Sequence, residues 1–274
     1  MPKTKVRYAF KGLNAVTGII CLSVLIMCTT VFWLKVSAYL LRPQLMKIKV
    51  PVNLNNVVLR SGLNYIMRNL LSPVTLPVII LGICYTSICA FGFFIAYNRN
   101  TTNFLIYEVL FTVCVVSHLV MFVIFLKDPS SMRLHAKTEL EKLVKSYKSL
   151  SSMDAASLFL GLIMINLKCC GYTDSYDFFE SKYVANKDIY DGVEYSNIAI
   201  PIACCEMNTE YKMLDTECPN WHSTSNHQFT VGCRDVFADN CIQRIKIFLY
   251  ASLTVIFLAI IMIACCVLIL KELW

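Results

Sequence analysis

Charge is scarce in this sequence: 16% of its 274 residues are Asp, Glu, Lys or Arg, against about 25% in an average soluble domain. Apolar residues fill the deficit at 57%, more than a single globular core requires, so a lipid-facing surface is expected. The net charge of +7 is spread over short flanks and a mixed-charge loop. With no basic stripe, a nucleic-acid partner is not expected. A Ser-His-Asp order, a phosphate-binding loop and a zinc-protease motif are also missing, so neither an enzyme nor a cofactor is expected. The first apolar run is too long for a signal peptide and has no small-x-small cleavage site, so it reads as an uncleaved anchor.

Four apolar runs of roughly 23 residues each are long enough to cross a hydrocarbon core about 30 Å thick. They cover residues 12–34, 74–97, 104–126 and 247–270; the first, second and fourth contain no Asp, Glu, Lys or Arg, and the third carries Glu108 and His118. All four are expected to be helices, which satisfy their own backbone groups in lipid. The implied order is a cytosolic N-terminus (1–11), a small loop (35–73), a short turn (98–103), a large loop (127–246) and a tail (271–274). Basic residues do not settle the orientation. Six lie on the side of the termini and six in the first loop.

Cysteine usage does settle it. Of fourteen cysteines, seven fall in or near the apolar runs and seven in the large loop, while the first loop has none. Such density in a polar segment implies disulfides formed in an oxidising compartment. The large loop is therefore expected outside and both termini in the cytosol. Within it, Leu140, Leu143, Val144 and Tyr147 keep helical spacing in a helix starting near Arg133. A second helix is expected over Ser157–Leu167, capped by Asp154 or Ser157 and ended by Gly171. From Tyr172 to about Asn226 the pattern is irregular, and disulfides replace a large core.

The loop carries Cys169-Cys170-Gly171 at the end of an apolar helix, then Pro201-Ile202-Ala203-Cys204-Cys205, an isolated Cys218, and Gly232-Cys233 before the last span. Adjacent cysteines do not readily bond to each other, so each pair ties distant segments together. Six cysteines allow fifteen pairings. This order of motifs between the third and fourth spans resembles the tetraspanin family, and the resemblance covers essentially the whole chain. It implies an all-α integral membrane protein: a four-helix transmembrane bundle with a disulfide-stapled, mainly helical large extracellular loop. It also implies the bridges Cys169–Cys233, Cys170–Cys204 and Cys205–Cys218. Cys241 is left over, open to a buried-thiol role, an alternative pairing or an intermolecular link, of which the buried thiol is favoured.

The resemblance implies further residue roles. Asn14 matches a polar residue usual in span one, and Cys265 and Cys266 match juxtamembrane thiols that carry palmitate. The family's polar span-four position falls on Phe257, which cannot hydrogen-bond, and this weighs against a sterol between the spans. Glu108 and His118 are intramembrane polar groups, and His118 is expected in an interhelical hydrogen bond. Cys218, His222, His227 and Cys233 have a loosely zinc-like spacing, but the disulfide pattern claims both thiols, so no metal is expected. The sequon Asn100-Thr101-Thr102 falls in the cytosolic turn, so no N-glycan is expected. Close helix approach is expected at Gly12, Ala15, Gly18 and Gly82.

The function implied is that of a membrane scaffold. It would bind other membrane proteins in cis, other tetraspanins among them, and cluster them laterally. Tyr176, Phe178, Phe179, Tyr183, Tyr190, Tyr195 and Trp221 are the candidate contact residues. The alternative is a membrane-shaping or sterol-linked structural protein without a dedicated protein partner, and intermolecular bonding by Cys241 would point to such a homo-oligomer. The plasma membrane is the default residence, with endosomal or vesicular membranes as alternatives.

Overall fold

The computed structural model describes residues 3–33, 57–97, 100–152, 154–178, 186–220 and 229–273. They form helices α1 (Lys3–Trp33), α2 (Val57–Tyr97), α3 (Thr101–Lys127), α4 (Ser130–Ser146), α5 (Ala155–Leu167) and α6 (Cys233–Leu273), with a hairpin of β1 (Lys187–Tyr190) and β2 (Val193–Ser196). The chain divides into two compact units. One comprises residues 1–30, 73–129 and 243–274, and the other residues 31–72 and 130–242.

The first unit is the helical bundle. Among the described residues four helices are long and apolar enough to cross a membrane, over Tyr8–Thr29, Ser61–Ala96, Thr101–Lys127 and Cys233–Lys271. Their apolar windows are at most 28% buried, so most of their hydrophobic surface faces outward. In water that would cost heavily; in lipid it is the expected arrangement for helices apolar all round. The inward stripe is aromatic. Phe10 meets Tyr107 edge-on at 5.6 Å, Tyr107 stacks on Phe111 at 5.5 Å, and Tyr85 meets Phe111 at 5.9 Å. Small side chains let the helices close around these rings. A Cβ on Gly92 would stand 2.7 Å from the Tyr107 ring and 2.8 Å from the Asn14 amide, and one on Gly18 3.3 Å from the Cβ of Cys89. Gly12, expected at such a contact, has open space around it. Asn100 accepts from the Thr102 amide at 3.0 Å, so the asparagine of the sequon is the N-cap of α3.

The second unit contains the large loop and residues 57–72, which are helical where the sequence suggested loop. Leu59, Leu63, Ile66, Met67 and Leu70 recur at helical spacing there and pack on the loop core. Pro73 has no N–H to give the Asn69 carbonyl one turn earlier. That carbonyl instead accepts from His135 Nε2 at 2.9 Å and from the Ser72 hydroxyl at 3.0 Å. Because a carbonyl only accepts, Nε2 of His135 carries the proton.

Helix α5 is buried continuously from Ser157 to Met164, as its unbroken apolar sequence demands. Asp154, rather than Ser157, is its N-cap, accepting from the Ser157 amide at 3.0 Å. Its C-cap is Lys168 in the left-handed region (φ 52°), three residues before the glycine expected to end it. The segment expected to be irregular holds the hairpin, with Lys187 opposite Ser196 and Tyr190 opposite Val193. Asp191 (φ 53°) and Gly192 (φ 79°) are both left-handed, as a two-residue type I′ turn requires.

Candidate functional site

In the loop unit, the residues after α5 are fixed from several sides. Three disulfides join Cys169 to Cys233, Cys170 to Cys204, and Cys205 to Cys218, closing sequence separations of 64, 34 and 13 residues. Gly171 (φ 69°) makes the Cys-Cys-Gly turn possible. A side chain there would overlap the Asp174 carbonyl and approach the Asp177 carboxylate to 2.8 Å. That carboxylate oxygen, Oδ2 of Asp177, accepts from the amides of Tyr172 (2.8 Å), Thr173 (2.7 Å) and Asp174 (3.1 Å). Gly232 admits the Thr173 carbonyl against its Cα. Cys170 N then donates to Val231 O at 2.9 Å, and Cys233 N to Gly171 O at 3.1 Å. The two glycine motifs are thus the two sides of one close backbone approach.

The hairpin is anchored by a buried carboxylate. Asp188 is 4% exposed; its Oδ2 accepts from Leu150 N, and its Oδ1 from Ser151 N and Ile189 N, each at 2.9 Å. The Tyr190 hydroxyl donates to the Tyr211 carbonyl at 2.6 Å, which seats the hairpin on residues 207–213. Tyr147 lies under this layer against Phe178, with ring centroids 5.3 Å apart. Burial, and next the Asp188 carboxylate, hold its phenol well above the ordinary value.

This construction sorts the aromatic candidates. Tyr176 is 71% exposed and Tyr195 half-buried. Phe178 and Tyr190, at 2% and 1% exposure, are core residues and not contacts, because the hairpin and the turn after α5 close over them. Phe179, Tyr183 and Trp221, with His222 and His227, lie outside the described residues. Ile189, Val193 and Leu214 carry no signal of their own in the sequence pattern, yet all three are exposed, as Tyr176 is, in this stapled segment. The Asp191-Gly192 dipeptide was the available signal for the hairpin that displays two of them. A separate groove of about 300 Å³ is lined by Tyr65, Ile66 and Leu70 of α2 with Leu143, Ala156 and Phe159.

In the bundle, Asn14 is fully buried. Its amide donates to the Cys89 carbonyl at 2.7 Å and its carbonyl accepts from the Tyr107 hydroxyl at 3.1 Å. His118 Nδ1 lies 3.4 Å from the Tyr85 hydroxyl on a neighbouring helix. Glu108 is half-buried, and its Oε2 has no hydrogen-bond partner among the described residues. Cys266 is fully buried because it shares the inward stripe of α6 with Ala259, Met262 and Ile269, so it is corrected from an acylation site to a packing residue. Cys265 is half-buried. Phe257 points outward at 62% exposure, so it does not line the interior of the bundle. A cavity beside Leu81, His118, Phe122 and Ser252 holds about 90 Å³, well short of the roughly 300–1,000 Å³ of ordinary ligand sites. Cys241 is a free, half-buried thiol packed against the loop core. Among the described residues no group of three or more His, Cys, Asp or Glu is placed to hold a metal.

Comparison with curated proteins returns no match. The family model described as Tetraspanin family matches residues 6–271, nearly the whole chain. With four membrane-length helices and a disulfide-stapled loop behind that match, this multi-pass membrane protein belongs to the tetraspanin family.

Proposed function

We propose that this tetraspanin is a non-enzymatic scaffold that binds other membrane proteins in cis through its large loop and clusters them laterally. The observation that carries the reading is a contrast within the stapled segment. Tyr176, Ile189, Val193 and Leu214 are exposed, although three disulfides and the buried Asp188 fix the backbone beneath them. Apolar side chains held rigidly at a surface lose little conformational freedom on binding, which is what an anchor residue needs. Disulfides persist in oxidising compartments, which supports an extracellular loop and cytosolic termini. The plasma membrane is the proposed residence, with endosomal or vesicular membranes as the alternative. Cys265 is the remaining juxtamembrane acylation candidate on α6.

The test is quantitative co-purification in mild detergent, comparing wild type with Ile189→Glu/Val193→Glu. Both positions are exposed, so the variant should keep its disulfides and its unfolding temperature. We expect specific membrane proteins on the wild type and at least a fivefold loss on the variant. Equal recovery from both proteins would place the contact elsewhere, and recovery of lipid alone would favour the purely structural role.

A further inference from the structure

The hairpin has one strand pairing only: the sheet contains β1 and β2 and no third strand among the described residues. Its two-residue turn makes Tyr190 and Val193 the closing pair, which exchanges ladder hydrogen bonds. Hydrogen-bonded and non-bonded pairs alternate in an antiparallel ladder. The main-chain N–H and C=O of Glu194 and Ser196 therefore point away from β1. Glu194 and Ser196 are exposed along that edge, and Val193 is 52% exposed beside them. Long open edges are usually blunted by lysine, proline or a bulge. Here β2 contains no lysine, proline or bulge. Its four residues and the Glu194 carboxylate limit what it accepts to a short segment of opposite charge. Lys187, the nearby lysine among the described residues, reaches across to Glu194 at 3.0 Å.

Charge indicates what would pair with this edge. The whole chain carries +7, yet residues 186–220 hold seven acidic residues and two lysines, a net −5. Both lysines lie against glutamates of the same segment, Lys187 at Glu194 and Lys212 at Glu210. Only Asp188 of the seven is buried. The Tyr190–Tyr211 hydrogen bond draws the acidic residues of 206–217 toward the hairpin. An acidic surface on a cationic protein selects for a basic partner through its field and raises the rate of encounter.

Resting on the reading that the loop binds partners, we infer that β2 is an acceptor edge for an extended, basic segment of a partner's extracellular region. Such a segment would add as a third strand, its backbone bonded to Glu194 and Ser196. Alternate side chains would fall on Val193 and Tyr195 on one face and on the Glu194 carboxylate on the other.

The probe is a short synthetic peptide of alternating Val and Lys, titrated onto the full-length protein in detergent. Two control peptides accompany it, one N-methylated at alternate residues and one with Glu in place of Lys. Strand addition predicts binding of the parent peptide and at least tenfold weaker binding of both controls. It also predicts at least tenfold weakening by Ser196→Pro, which removes an outward donor the ladder does not use, and several-fold weakening by Asp191→Asn/Glu194→Gln. Equal affinity for the N-methylated peptide, or for the acidic one, would overturn the proposal. So would self-association abolished by Ser196→Pro, because a second copy would then be the occupant. If partners co-purify with wild type and survive Ser196→Pro unchanged, edge pairing fails while loop binding stands. If no partner co-purifies at all, it is loop binding that fails.

Discussion

The bundle and the loop unit find partners for most of their buried polar groups by opposite means. Glu108 Oε2 in one and the Tyr147 hydroxyl in the other are left without a hydrogen bond among the described residues. In the bundle the helices satisfy their own backbones, and the buried polar contacts are a short chain from the Cys89 carbonyl through Asn14 to Tyr107. With the Tyr85–His118 contact set beside it, the rest described there is fit, as at Gly92 and Gly18. In the loop unit the segments between the helices have little regular structure, so many of their backbone amides are satisfied by side chains. Asp177 takes three of them and Asp188 three more. Disulfides then tie these irregular segments to an apolar core built on α5, which is buried from Ser157 to Met164. The lesson is that both regions resist added volume, at Gly92 in the bundle and at Gly171 and Gly232 in the loop, while the loop depends in addition on carboxylates that satisfy its backbone.

The sharpest way to break this contrast is to remove a staple. Cys170→Ser should cost the loop unit about 2–5 kcal/mol and leave the bundle intact. Urea unfolding followed by loop-specific and helix-specific probes would separate the two. Next in size is Asp188→Ala, which strands the three amides, of Leu150, Ser151 and Ile189, that donate to a buried carboxylate. A loss of about 1.5–3 kcal/mol is expected, with faster hydrogen exchange at Leu150 and Ser151. On the bundle side, Gly92→Ala adds one methyl between Asn14 and Tyr107 and should cost about 1–3 kcal/mol by overpacking, read as a lower melting temperature of the helical signal.

The smallest effect tests the contrast from the other direction. Tyr147 buries a hydroxyl with no hydrogen-bond partner among the described residues. Removing it in Tyr147→Phe should be neutral or stabilising by up to about 1 kcal/mol. Because the folded phenol is raised, its contribution is intact below the unfolded value near 10 and falls as pH rises past it. The advantage of the phenylalanine variant should therefore widen above about pH 10, measured as a difference in unfolding midpoint at two pH values.

How far the sequence could be read differed between the same two regions. Spans were visible because hydropathy depends only on composition over a window, and the family because the Cys-Cys-Gly and Gly-Cys motifs are specific. Helix α5 was visible from its apolar run, though not its end, since Lys168 takes the left-handed cap that glycine usually takes. The helix over 57–72 was hidden by Pro73, whose missing hydrogen bond His135 replaces from a residue 66 positions away in sequence. The hairpin was legible in Asp191-Gly192 and was passed over because its strands are only four residues each. Surface and core aromatics could not be told apart: nothing local distinguishes Tyr176 from Phe178, two residues later, and only the closure of the hairpin decides.

The most direct measurement is photo-crosslinking in intact cells from benzoylphenylalanine placed at Val193 in the loop and, separately, at Phe257 on the outward face of the bundle. Protein adducts at 193, with predominantly lipid adducts at 257, are the expected result. Discrete protein adducts at 257 and none at 193 would contradict it, and would move partner recognition from the stapled loop into the membrane.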